Sequence, residues 1–147
     1  MTSERVSRSV LEDASAFLDS KYSVDDVSAV LGMQLDAVEA VNRPTQFGVY
    51  MEAGVDLKKT IPDFAKRGLD FIKSIIDKLL KKVCPWWKNN KEKVGEKLVA
   101  SLTAFIIGTK VIPEMYSAIA GIVAIVAVYL IKKGLDALCK NKQPAKL

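Results

Sequence analysis

Met115-Tyr-Ser-Ala-Ile-Ala-Gly-Ile-Val-Ala-Ile-Val-Ala-Val-Tyr-Leu-Ile131 is a run of seventeen residues without a formal charge, bounded by Glu114 and Lys132. A helix over this run is apolar on every side, which calls for lipid or a dense core around it. At about 1.5 Å per residue it covers roughly 25 Å, just short of the ~30 Å hydrocarbon core of a bilayer. Leu98–Thr109 also lacks charge, and only Gly108–Pro113 separates the two apolar peaks. Together they read as a hydrophobic helical hairpin over 98–131. The expected fold is all-α.

Working outward, the charge divides sharply. Residues 1–56 hold four Lys/Arg against ten Asp/Glu, a net of −6, whereas residues 57–147 hold eighteen against seven, a net of +11. Opposite signs in two halves point to two jobs, or to one half folding on the other. The lysines of the basic half alternate with large apolar residues, a pattern that suits an anionic lipid surface better than nucleic acid. Residues 60–83 read as an amphipathic basic helix. Phe64, Leu69, Ile72, Ile75, Ile76, Leu79, Leu80 and Val83 lie on one side, and Lys66, Arg67, Asp70, Lys73, Asp77, Lys78, Lys81 and Lys82 on the other. Thr60 with Asp63 resembles its capping box, and Cys84-Pro85 is expected to stop it.

The N-terminal 1–43 reads as an acidic helical module. A first helix capped by Thr2 or Ser3 runs to about Ser20, and Ser23 caps a second. Gly32 is expected to end that second helix, with another following from about Leu35 to Asn42. Tyr22–Val41 thereby resembles a helix-turn-helix, with Val27, Val30, Leu31, Met33, Val38 and Val41 at its buried positions. Its second helix carries Asp36 and Glu39, which repel phosphate, so nucleic acid is not the expected partner. Residues 44–59 read as a linker.

Residues 84–97 form an interfacial hinge. Trp86 and Trp87, with Lys81, Lys82 and Lys88, look like a belt seated among lipid headgroups. Tyr116 and Tyr129 near the ends of the second arm fit the same belt, and Lys132 and Lys133 close it and snorkel. The residues expected to enter the bilayer are Leu98, Leu102, Phe105, Ile106 and Ile107 on the first arm. On the second they are Ile119, Ile122, Val123, Ile125, Val126, Val128 and Leu130. Ser117 with Gly121, and Ala120 with Ala124, supply a small-residue face for close helix packing between the arms or between protomers. Residues 132–147 are a basic tail. In its hairpin and basic flanks the 88–140 region resembles the central hairpin of pore-forming colicin domains, in architecture and not in motif.

Catalytic chemistry is poorly provided for. The chain has no histidine, no Gly-rich phosphate loop and no Cys-x-x-Cys, so no catalytic residue, metal ligand or cofactor is expected. Cys84 and Cys139, two cysteines far apart, read as reduced thiols. Met1–Asp19 carries four acids and lacks the apolar core of a signal peptide. The expected function is a non-enzymatic, membrane-associated helical protein on the cytoplasmic side, both termini cytoplasmic. Its N-terminal half would bind a protein partner, and its C-terminal half would anchor in or permeabilise an anionic bilayer, as a homo-oligomer if the small-residue face joins copies. Two alternatives stand beside it: a soluble self-associating adaptor or shell protein, and a membrane-tethered DNA-binding regulator.

Overall fold

The computed structural model describes residues 8–41, 57–117 and 119–142. All regular structure among them is helical, as the hydrophobic periodicity predicts. Helix α1 (Arg8–Ser15) passes into a 3-10 turn over Ala16–Leu18, and the chain reverses at Asp19–Tyr22. Ser23 then starts α2 (Val24–Val41). Its hydroxyl accepts from the Asp26 amide at 3.1 Å, and the Asp26 carboxylate accepts from the Ser23 amide at 2.8 Å. This reciprocal cap satisfies two donors that a helix start leaves orphaned. The cap expected at Thr2 or Ser3 and most of the linker expected at 44–59 lie outside the described residues.

Helix α2 does not break at Gly32. The helix-turn-helix expectation is therefore corrected: residues 24–41 form one helix, and Met33, assigned there to a buried position, is 39% exposed. What Gly32 does instead is admit a neighbour. Helix α3 (Leu57–Lys88) crosses α2 so closely that a Cβ on Gly32 would collide with the carbonyl oxygen of Phe64. A Cβ on Gly68 would in turn collide with the carbonyl oxygen of Ser28. The two glycines are needed here for their missing side chains, and the backbones touch at both.

Helix α3 begins before its expected cap, with Thr60 inside it, and it continues through Pro85 to Lys88. Pro85 has no N–H to offer the Lys81 carbonyl, a defect of about 3 kcal/mol in a helix interior. It sits on the exposed side only three residues from the helix end. The Asn90 amide and the Asn89 backbone N–H both donate to the Trp86 carbonyl, at 2.7 and 3.0 Å, and so close the last turn. On the side expected to be apolar, Ile72, Ile75, Leu79, Leu80 and Val83 are buried and Phe64, Leu69 and Ile76 half-buried. Arg67, expected on the charged side, is half-buried as well.

Two apolar helices follow, α4 (Gly95–Thr109) and α6 (Ala120–Lys133), with a single turn α5 (Glu114–Ser117) between them. Lys110 ends α4 with φ at +61°, the left-handed conformation that helix ends favour and that glycine adopts most readily. Ile119 is extended at the start of α6, so the seventeen-residue apolar run does not form one helix. A final helix, α7 (Leu135–Lys142), follows a turn at Gly134 with φ at +100°.

Helix α6 is the centre. Every residue from Ile122 to Leu130 is buried, and α1, α2, α4, α5 and α7 all pack against it. Helix α3 lies mainly on α2, so the acidic α2 faces the basic α3 within one body. Among the described residues, no helix is long and apolar enough to cross a membrane.

The glycine crossing predicts two changes of opposite sign. Gly68→Ala should lower unfolding stability by about 3 kcal/mol, at the upper end of typical overpacking, because backbone and not a flexible side chain must move. Gly108→Ala, on α4 with open space around it, should raise stability by up to about 1 kcal/mol. Urea denaturation of both variants measures the pair.

Candidate functional site

The residues assigned by sequence to a membrane are divided by the structure into an enclosed hairpin and a charged exterior. Leu98, Leu102, Ile106, Ile122, Val123, Ile125, Val126, Val128 and Leu130 are buried within the bundle. Phe105 and Ile107 are half-buried, and Ile119, beside the helix link, is 47% exposed. Helix α6 is enclosed because its sequence is apolar all round, and amphipathic neighbours each bring one apolar stripe to it.

The aromatic residues are part of the packing. Trp86 stacks on Phe105 with ring centroids 5.4 Å apart and planes 25° from parallel. The Trp87 indole donates to the Asp136 carboxylate at 2.8 Å, and the Lys91 ammonium lies 3.1 Å from the same oxygen. Those two partners hold the Asp136 carboxyl below its usual range, the indole hydrogen bond first. Tyr116 meets Phe71 edge-on at 5.3 Å. Tyr129 is buried, and desolvation, reinforced by the negative charge of Asp25, raises its phenol above the ordinary value. Neither tyrosine forms an exposed girdle: Tyr129 is part of the buried α6, and Tyr116 packs on α3 through Phe71.

The lysines divide by position. Lys81, Lys82, Lys88 and Lys133 are exposed. Lys132 is half-buried, and its ammonium donates to the Asp19 carbonyl at 3.0 Å, tying the end of α6 to the turn after α1. The expected small-residue face turns inward. Ala124 is buried, Ser117 and Ala120 are half-buried, and a Cβ on Gly121 would lie 3.2 Å from the Gln34 amide nitrogen of α2. Gly121 thus faces α2 and a 150 Å³ cavity beside α1, lined by Val10, Ala14, Val30, Gln34 and Ile125 among others. Among the described residues, the buried side-chain oxygens Ser15 Oγ, Gln34 Oε1 and Thr103 Oγ1 have no hydrogen-bond partner.

Cys84 and Cys139 are bonded, which corrects the expectation of separate thiols. With Leu80 they form a small apolar cluster of their own, edged by Ile76, Trp87 and Leu138. Sequence distance hid this pairing, because the fold of three intervening helices brings the two cysteines together. Asp136 was missed for the same reason. The signal available in sequence was slight: two cysteines, each beside lysines at the end of an apolar stretch.

No cluster of three or more His, Cys, Asp or Glu side chains able to hold a metal occurs among the described residues. The chain matches no protein-family model, no curated protein and no solved structure.

The Tyr129 environment fixes an alkaline response. Its folded phenol is raised, so the stabilising contribution is complete below the ordinary tyrosine value of about 10 and is lost as pH climbs through the raised folded value. Between about pH 9 and 11, Tyr129→Phe should therefore lose less stability than the parent chain. Denaturant titrations across that window supply the measurement, and parallel curves would reject the assignment.

Proposed function

We propose that the protein is a non-enzymatic helical bundle that attaches to anionic membrane surfaces through a lysine face and carries its apolar hairpin sheltered inside. The observation that carries this reading is α3, a helix of 32 residues with its apolar side packed and Lys66, Lys73, Lys78, Lys81, Lys82 and Lys88 exposed. A lysine near an anionic leaflet contributes about 1 kcal/mol, so several on one face give useful attraction at moderate salt. An anionic cytoplasmic leaflet is the kind of surface that such a lysine face would suit.

The lengths of the apolar helices limit how deep the attachment goes. Helix α4 has 15 residues and α6 has 14. At about 1.5 Å per residue they reach roughly 21–22 Å, less than the hydrocarbon thickness. Exposed Lys110 in the link between them stays in water or at the interface, because a charge at the bilayer centre costs about 2.5–3.5 kcal/mol. The hairpin, if released, would lie shallow or re-enter. For the protein partner of the N-terminal residues, the groove of about 440 Å³ beside Phe17, Tyr22, Val30 and Met33 offers the apolar surface.

A soluble adaptor is the second reading, and the complete burial of Ile122–Leu130 within one chain favours it. Flotation separates the two. The purified protein should rise with vesicles rich in phosphatidylserine, remain below with phosphatidylcholine alone, and be released by about 0.5 M salt as the Debye length shrinks. Replacing Lys78, Lys81 and Lys82 together by Gln should weaken binding about 100-fold, from three contributions of about 1 kcal/mol each. A chain that stays in the aqueous fraction with every vesicle is the adaptor.

A further inference from the structure

The bond between Cys84 and Cys139 joins α3 to α7, their Cα atoms 5.4 Å apart across a sequence separation of 55. All of α4, α5 and α6 lies between the two cysteines. The entire apolar hairpin is thus contained in one covalent loop, and its two ends are fastened to each other. While the bond stands, α6 cannot draw away from α3 at its C-terminal end. Nor can the hairpin cross a bilayer once, because a single crossing would part those ends by about 30 Å.

Cys84 and Cys139 are only 4% and 7% exposed, so a reagent must enter by the cleft that both of them line. Both cysteines line an open cleft of about 310 Å³, whose other walls are Trp87, Lys88, Lys91, Asp136 and Lys140. Three lysines face one carboxylate, and that carboxylate is already engaged by Trp87 and Lys91. Positive surroundings stabilise an arriving thiolate and a departing one alike. Besides the bridge, α7 is held by a few side chains: the Asp136 carboxylate on Trp87 and Lys91, and Leu135 and Leu138 on the main core. Leu135 reaches the main core, Leu138 and Cys139 belong to the small cluster around the bridge, and Gly134 provides a bend at positive φ between α6 and α7.

We propose that the Cys84–Cys139 bridge is a redox-operated clasp on the hairpin, opened by a small anionic thiol that enters the lysine cleft. The thiolate of the first thiol molecule forms a new S–S bond with one bridge sulfur, and the other bridge sulfur leaves as a thiolate. A second thiol molecule attacks the external sulfur of this mixed disulfide, frees the second cysteine thiolate and departs as the oxidised dimer. Two electrons pass from the two thiols to the bridge, and the protons they lose are taken up by the cysteine thiolates. An oxidising compartment keeps the clasp shut; a reducing one opens it and frees the C-terminal end of α6. The consequence for membranes rests on the function proposed above, whereas the opening of the clasp does not.

The test uses the full oxidised chain, treated with mercaptoethanesulfonate (anionic) or cysteamine (cationic), rates being normalised to thiolate concentration. The anionic thiol should reduce the bridge about 10-fold faster, and K88Q with K140Q should bring the ratio toward one. Amide hydrogen exchange followed by mass spectrometry should then show about 10-fold faster exchange across 125–142 on reduction, with 24–38 and 63–80 still protected. Cys139→Ser should reproduce that pattern without any reductant. Equal rates with the two thiols, unchanged exchange after reduction, or loss of protection throughout the chain would each overturn the clasp. Flotation of the reduced chain with phosphatidylserine vesicles distinguishes the two proposals. If exchange opens but flotation matches that of phosphatidylcholine vesicles, the clasp stands and the membrane function fails.

Discussion

The enclosure of α6 is the constraint on which the rest of the structure depends. Consecutive residues of a helix point about 100° apart, so nine buried in succession require neighbours around the whole circumference. Fully burying a Val, Leu or Ile side chain is worth about 1.5–3 kcal/mol, so this one helix supplies a large part of the drive for compaction. Its neighbours are amphipathic because each has one side on α6, or on a helix that touches it, and another in water. The layout of charged surface follows from the same requirement.

Close approach of α2 and α3 completes the bundle at one remove from that centre. Their crossing is set by Gly32 and Gly68, where main chain meets main chain. Charge complementarity between an acidic helix and a basic one accompanies this contact, yet the steric condition is the stricter of the two. Exposed charges tolerate rearrangement at small cost, whereas a Cβ at either glycine has nowhere to go. The opposite signs of the two halves are thereby partly accounted for within the chain itself, and on the water side of α3 Lys66 pairs with Asp70 at 3.1 Å.

The same enclosure sets the terms on which the hairpin could act. A helix apolar all round is compatible with a protein core and with lipid, so composition alone leaves both environments open. Within the bundle, the contacts that tie its C-terminal end down include the Lys132 ammonium on the Asp19 carbonyl, the Asp136 carboxylate on Trp87 and Lys91, and the bridge to α3, with a bend at Gly134 between them. These attachments lie in turns and in a short terminal helix, where local opening is least costly.

By itself the sequence determined the helical class, the apolar stripe of residues 64–83, the cap at Ser23 and the two uncharged arms, because each is written in local periodicity or in one side chain reaching a nearby amide. The candidate surface was legible to the same extent: the lysines of α3 could be placed on one face from their spacing. Only the tertiary structure decided that Gly32 admits a crossing helix, that α3 survives Pro85, that Trp87 pairs with Asp136, and that Cys84 joins Cys139. Each of these depends on a partner tens of residues away, or on packing strong enough to override a local preference. It also decided that the apolar arms are covered by other helices of the same chain. Periodicity reports that a face must be hidden, and it carries no information about what hides it.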